Sequence, residues 1–389
     1  MIKSNPFLNF DCTRVPSPCY VVDEVAVEAN LKVLARVKNE SGAKILLALK
    51  AFSMFSLAPL INQYLSGVCA SGLYEARLGA EEFEGEVHTY SAAFKEPELS
   101  EVLTLSDHVV FNSFNQWQRF QPLLQKSRVK RAGIQFGLRV NPMHSEGATA
   151  LYDPCAPGSR LGIPFSAFKG QSLTGISGLH FHTLCEQGFE PLARTLDVIE
   201  QQFANILPRL EWVNFGGGHH ITEQGYDVDA LILRIKAFQK KYNLQVYLEP
   251  GEAIAIHSGV LVSEVLDITQ NDGDIAILDT SATCHMPDTI EMPYRAEVLN
   301  SAGKGEKNYD FRLGGQTCLA GDVMGDYSFD LPLRVGQRLM FDDMSHYTMV
   351  KTTTFNGIGL PAIALWNSNS NALKIVREFG YRDFKDRLS

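Results

Sequence analysis

Apolar residues in the first two-thirds of the chain fall into short runs separated by longer helical stretches. Eight of these runs, between about residues 25 and 250, read as strands. They are KILLAL (44–49), GVCAS (67–71), VHTYS (87–91), HVVFN (108–112), IQFGLRV (134–140), ISGLHFH (176–182), LEWVNF (210–215) and LQVYLE (244–249). Helical periodicity fills several of the gaps. Val27, Leu31 and Leu34 share one face before the first run, and Leu231, Ile235 and Phe238 share one before the last. Eight strands alternating with helices predict an α/β fold, a (β/α)8 TIM-type barrel, whose chemistry sits on the loops at the strand C-termini. The long gap between the fifth and sixth runs holds DPCAPGSRLGIP (153–164), which reads as a functional loop. After Gly251 the pattern changes. VLVSEVLDI, DIAILDT, YDFRLGG, QRLMFDD and YTMVKTT read as strands, broken by turn signals such as NDGD (271–274), with no long helix before the tail. A second, mainly β domain is expected there. SPCYVVD (17–23) precedes the barrel and reads as a strand that could be added to it.

Composition narrows the classes. The 389 residues exceed one ordinary core, though a barrel alone can take ~250. The formal net charge of -9 disfavours nucleic acid and anionic membrane as partners and would suit a cationic substrate. No apolar run reaches the ~20 residues of a membrane helix. The opening MIKSNPFLNF lacks a secretory apolar core. Seven cysteines without a short-spaced pair suit the reduced thiols of a cytoplasmic protein.

Five places carry candidate chemistry. Lys50 ends the first run, where a barrel would present it at the catalytic mouth, and Schiff-base chemistry needs such an accessible amine. Gly216, Gly217 and Gly218 follow the seventh run, where backbone N–H groups can close on an anion. Glu249 ends the eighth run, where a carboxylate facing the axis can keep a cofactor ring nitrogen protonated. His180 and His182 alternate on one strand and can face the same side, as structural rings, metal ligands or a surface for a planar cofactor. Cys318 lies among glycines and an aspartate in GGQTCLAGD, a loop setting that suits a functional thiol.

Taken in order, these motifs resemble the ornithine/diaminopimelate decarboxylase superfamily of barrel-type pyridoxal phosphate enzymes. The order is a lysine after strand one, FH after strand six, GGG after strand seven, EPG after strand eight, then TC…D and YT. The likeness runs from Lys50 to about Asn356. CASGLYEARLG (69–79), HFHTLCE (180–186), EPGEA (249–253), DTSATCHMPD (279–288) and GGQTCLAGD (314–322) look most like the branch acting on carboxynorspermidine. The resemblance implies an alanine racemase-like, fold type III architecture. Its PLP-binding barrel would span 25–255, and residues 1–24 and 256–389 would form a β-rich domain contributing to the active site and dimer.

The same resemblance implies roles residue by residue. Lys50 carries pyridoxal 5'-phosphate, His182 stacks on its ring and Glu249 binds its ring nitrogen. Gly216, Gly217 and Gly218 hold the phosphate, with Tyr347 touching it. Cys318 comes from the other subunit of a homodimer and delivers a proton to Cα. Where the superfamily usually has EPGR, this chain has Glu252, which suits a substrate with cationic amines better than a phosphate. Such a charge-assisted hydrogen bond is worth roughly 1.5–3 kcal/mol. Asp288 and Asp322 are further candidates for the substrate amines. The corresponding ornithine-enzyme segment has an acid directly after the cysteine, where this chain has Leu319. No metal is expected. A metal-dependent barrel hydrolase using His180, His182 and His220 is a competing reading, although no acid completes its ligand set. A catalytically dead regulator is another, but Lys50, Glu249 and Cys318 are all present. A diaminopimelate decarboxylase is a third, although Glu252 and Asp288 would repel a distal carboxylate.

Overall fold

The computed structural model describes residues 5–130, 133–147 and 149–389. The first four residues of the opening segment therefore lie outside the described residues. The chain divides into two compact units, one formed by Glu28–Ile254 and one by Met1–Val27 with Ala255–Ser389.

In the first unit all eight expected runs form strands, Lys44–Ala48, Gly67–Ala70, Glu86–Tyr90, His108–Phe111, Gln135–Asn141, Gly178–His180, Trp212–Asn214 and Gln245–Leu248. Each pairs in parallel with the next, and the eighth returns to the first through Tyr247↔Lys44 and Leu248↔Ile45, so the barrel closes. Two glycines shape its floor. A Cβ at Gly137 or Gly178 would stand 2.4 or 2.1 Å from the Trp212 indole. Only glycine leaves room for that ring, which fills the barrel interior beside Leu46, Val110 and Tyr247.

The surrounding helices follow from their apolar stripes. Val228–Tyr242 starts at Asp227, whose carboxylate accepts from the Ala230 N–H at 2.9 Å. It buries Leu231, Ile235 and Phe238 and stops at Asn243, which is left-handed at φ 51°. Phe189–Phe203 buries Leu192, Leu196, Ile199 and Phe203 in the same manner. Within the Gly/Pro-rich loop, Ile163–Pro164 adds a short strand beside Val140 and Asn141.

The second unit is a nine-stranded, mixed sheet. Its order is Ala302–Gly303, Val323–Phe329, Tyr309–Gly314, Asp274–Leu278, Gly259–Gln270, Cys19–Asp23, Ala362–Asn367 and Ala372–Arg377, with Arg338–Phe341 also pairing Gly259–Gln270. Two expectations are corrected here. The SPCYVVD segment adds no strand to the barrel. Cys19–Asp23 pairs antiparallel with Gly259–Val262 and parallel with Ala362–Trp366, at the centre of this sheet. Fully buried side chains explain that position, since both faces of the strand are covered. YTMVKTT is not a strand either. Tyr347 adopts φ 32°, the Lys351 N–H donates to the Tyr347 carbonyl at 3.0 Å, and Met349–Lys351 forms a 3-10 turn. Among the described residues no helix is long and apolar enough to cross a membrane.

Candidate active site at the barrel mouth

The loops after strands one, six, seven and eight bring one group of the expected residues together. Strands one and eight are neighbours, so the turn carrying Lys50 packs on Pro250 and Gly251. The Ala48 N–H donates to the Pro250 carbonyl at 3.0 Å. A Cβ on Gly251 would meet the Ala51 methyl at 2.5 Å, and glycine permits this close approach. Lys50 itself is exposed at the turn.

Glu249 is the best-defined group of the site. His180 Nε2 lies 3.1 Å from one carboxylate oxygen, and the Asn214 amide donates to the other at 2.7 Å. Burial alone would raise the Glu249 pKa. The His180 interaction, together with the positive charge of His88 and Lys50, outweighs burial, and the carboxyl is held down at about 2. Burial conversely lowers the pKa of His180, against the pull of the Glu249 carboxylate. A neutral His180 facing a carboxylate carries its proton on Nε2. Its Nδ1 is then a buried acceptor, and among the described residues that atom has no partner. Glu249 accepts one bond on each oxygen and keeps lone pairs for a further donor.

His182 is fixed from the other side. Its Nδ1 accepts from the Gly217 N–H at 3.0 Å. Burial, then the nearby Lys50 charge, holds its pKa well below the ordinary value, so the ring is neutral. The glycine triplet is steric as much as it is electrostatic. A Cβ at Gly216 would stand 2.4 Å from the Phe181 carbonyl oxygen, at Gly217 2.1 Å from that of Glu249, and at Gly218 1.9 Å from that of Leu184. Two of the three N–H groups are already engaged, Gly216 by Asn214 Oδ1 at 2.8 Å and Gly217 by His182. Among the described residues, the N–H groups of Gly218 and His219 have no acceptor. The two unengaged N–H groups lie at and just after the C-terminal end of the triplet.

We expect Gly217→Ala to lower the urea midpoint by the equivalent of at least ~1–3 kcal/mol, because its Cβ must displace the Glu249 main chain. Gly225→Ala is a control, since glycine is left-handed there but its Cβ would meet nothing within 4 Å.

The acids expected to bind substrate differ in their surroundings. Glu252 belongs to the barrel unit, with Oε2 3.1 Å from His220 Nε2 in ion-pair rather than hydrogen-bond alignment. Burial works against His220, but the Glu252 carboxylate more than compensates and its pKa is raised. In the sheet unit, Asp288 is already ion-paired with Lys351, which also reaches Glu291. Asp322 is buried and fully used. Oδ1 accepts from Ser281 Oγ at 2.9 Å and the Thr283 N–H at 3.2 Å, while Oδ2 accepts from the Thr317 hydroxyl at 2.7 Å and its N–H at 3.1 Å. Its carboxylate ties down the turn that carries Cys318. The Cys318 N–H donates to Asn356 Oδ1 at 2.8 Å, and its side chain is exposed. Tyr347 lies at the turn already described.

Sequence reasoning missed Asn214, Arg139 and Tyr90. Asn214 holds both Glu249 and Gly216, and its place two residues after Trp212 was the available signal. Arg139 stacks on Tyr90 at 4.6 Å and donates to the His182 carbonyl at 3.2 Å, a buried cation within an apolar run.

An ionised glutamate at the end of strand eight, an exposed lysine after strand one and a shielded imidazole after strand six define a barrel-and-sheet enzyme of the pyridoxal-dependent decarboxylase class. The family model described as "Pyridoxal-dependent decarboxylase, C-terminal sheet domain" matches residues 19–345, and the chain belongs to that family. A carboxynorspermidine/carboxyspermidine decarboxylase of Campylobacter jejuni is 46% identical over 96% of this chain and 99% of its own. A carboxyaminopropylagmatine decarboxylase of Synechocystis is 44% identical over 100% and 98%. The crystal structure of carboxynorspermidine decarboxylase from Campylobacter jejuni, complexed with norspermidine, superposes with a TM-score of 0.88 at 45% identity, covering 96% of this chain and 100% of that one.

Proposed function

We propose that this enzyme removes the α-carboxylate of carboxynorspermidine to give norspermidine, and of carboxyspermidine to give spermidine, with pyridoxal 5'-phosphate as cofactor. The observation that carries the chemistry is the ionised Glu249, clamped by His180 and Asn214 close to the turn bearing Lys50. A carboxylate held at about 2 stays charged at every working pH and can keep a ring N–H protonated. Pyridoxal phosphate, when bound, supplies a sink for the electron pair released as the Cα–carboxylate bond breaks. Lys50 would offer the amine to hold it. The neutral His182 ring would give it a flat, uncharged face. Gly218 and His219 would offer unengaged N–H groups to its phosphate, with Gly216 and Gly217 shaping the turn. Cys318, exposed on a loop braced by Asp322 and Asn356, is proposed to reach the site from a second subunit of a homodimer and to protonate Cα.

Substrate charge is read by Glu252. Asp288 faces a lysine, and Asp322 spends one oxygen on Thr317 of its own loop and the other on Ser281 and Thr283, so neither is disposed to take a distal ammonium. Glu252 faces a histidine that can shed its proton when a substrate ammonium arrives. On this reading Glu252→Arg lowers carboxynorspermidine turnover far more than it lowers cofactor retention.

A second reading is favoured by one observation, the almost equal identity to the Synechocystis enzyme, whose agmatine-derived substrate ends in a guanidinium. Assaying the cofactor-loaded protein against carboxynorspermidine, carboxyspermidine, carboxyaminopropylagmatine, diaminopimelate and ornithine separates the two. We expect kcat/KM for the first two to exceed the third by at least ~10-fold, since a site shaped for an ammonium leaves the larger guanidinium poorly paired. The opposite ranking transfers the assignment to the agmatine derivative. Turnover of diaminopimelate alone overturns both.

A further inference from the structure

At the opposite end of the barrel, the N-terminal ends of the strands enclose a cavity of about 380 Å³ lined by Lys44, Glu86, Asp107, His108, Trp212 and Tyr247, among others. Glu86 and His88 are two apart on strand three and face the same way, and His108 opens strand four beside them. The His88 and His108 rings lie 3.9 Å apart, and His108 stacks in turn on Trp212 at 4.7 Å. One ligand atom from each of Glu86, His88 and His108 falls within 4.8 Å of the other two. Both histidines are at least nine-tenths buried, and among the described residues His108 Nδ1 has no hydrogen-bond partner although it is shut off from solvent. A buried imidazole nitrogen without a partner is uncommon, and it requires a water, an ion or a donor to complete it.

We propose that Glu86, His88 and His108 form a binding site for a divalent transition ion of the zinc class. Two imidazoles and a carboxylate are the donor types such an ion selects, and three protein ligands leave a position for water. His88 Nε2 and Glu86 Oε2 stand 2.9 Å apart, sharing what a metal would replace. Ligand atoms on a tetrahedral ion with ~2.0–2.1 Å bonds lie roughly 3.3 Å apart, so closing the site draws the three donors together and turns the stacked His108 ring out of parallel with His88.

The competitor is Lys44. Its ammonium bonds Glu86 and comes within 3.4 Å of the Tyr247 hydroxyl. Its side chain is 40% exposed, so it can swing into water and give up the carboxylate. A dication there exchanges one lysine contact for three ligand bonds and ties strands three and four together at the end of the barrel remote from Lys50. The site does not depend on the decarboxylase reading.

The test uses cofactor-loaded protein titrated with cobalt(II), followed by the visible band of four-coordinate cobalt and by metal analysis after desalting. We expect one ion per chain. Glu86→Gln and His108→Ala should weaken it by at least ~100-fold. Lys44→Met, which removes the competing ammonium, should tighten it by about tenfold or more. Absence of the band in the wild-type protein overturns the proposal. So does a band that persists unchanged in Glu86→Gln and His108→Ala, because the ion then sits elsewhere. If His108→Ala does not fold, the Lys44→Met arm still decides, since unaltered affinity there means that Glu86 is not a ligand.

Discussion

Replacing Lys50 with alanine is expected to lower kcat by at least ~10³-fold at saturating substrate. That range follows from the loss of both the amine that captures the cofactor and a proton-transfer group. The turn carrying Lys50 has no other lysine. Lys44 points from the opposite end of the same strand toward Glu86. Lys50→Arg should not rescue activity, because a guanidinium retains its proton and cannot attack an aldehyde. The fold should survive either change, as the side chain is exposed and its removal opens no cavity in the barrel. Borohydride reduction followed by peptide mass mapping gives an independent check, with the stable adduct expected on the peptide containing residue 50. Wild-type activity in Lys50→Ala, or an adduct on another lysine, would remove the basis of the functional assignment while leaving the barrel intact.

The barrel was legible because each of its strands is a short apolar run, and the helix stripes gave the period between them. Leu231, Ile235 and Phe238 are buried as their spacing required. The sheet unit was less legible, for two local reasons. Val323–Phe329 carries Gly325 at φ 143° and Asp326 within the strand, so its apolar signal is weak. YTMVKTT has strand-like composition, yet Tyr347 at φ 32° turns the chain into a 3-10 segment. Site residues at strand ends were proposed from their position and from the family resemblance. What sequence left open was how their bonds are distributed. GGG read as three anion-binding amides, whereas Asn214 and His182 consume two of them. The three acids looked equivalent as residue types. Their differences come from Lys351, Thr317, Ser281 and His220, partners that only the tertiary structure supplies.

Glu249→Gln should lower kcat by about 10²–10³-fold with a much smaller change in KM, the loss seen when a single preorganised charge-stabilising group is removed. The substitution keeps volume and can keep its hydrogen bonds. The amide oxygen still accepts from Asn214, and His180 can move its proton to Nδ1 so that Nε2 accepts from the new NH2. What disappears is the negative charge that holds the ring nitrogen protonated. A control follows from pH. The folded-state carboxyl is depressed to about 2, below the ~4.3 of an unfolded glutamate. Its contribution to stability is therefore complete above pH ~4.3 and is lost as pH falls through about 2. Wild type and Glu249→Gln should differ in urea midpoint at neutral pH, by the equivalent of ~1–3 kcal/mol, and that difference should narrow toward pH 3. A variant with wild-type kcat would show that charge at position 249 is not what drives the chemistry. A stability gap that is the same at both pH values would show that the carboxyl is not held ionised by its neighbours.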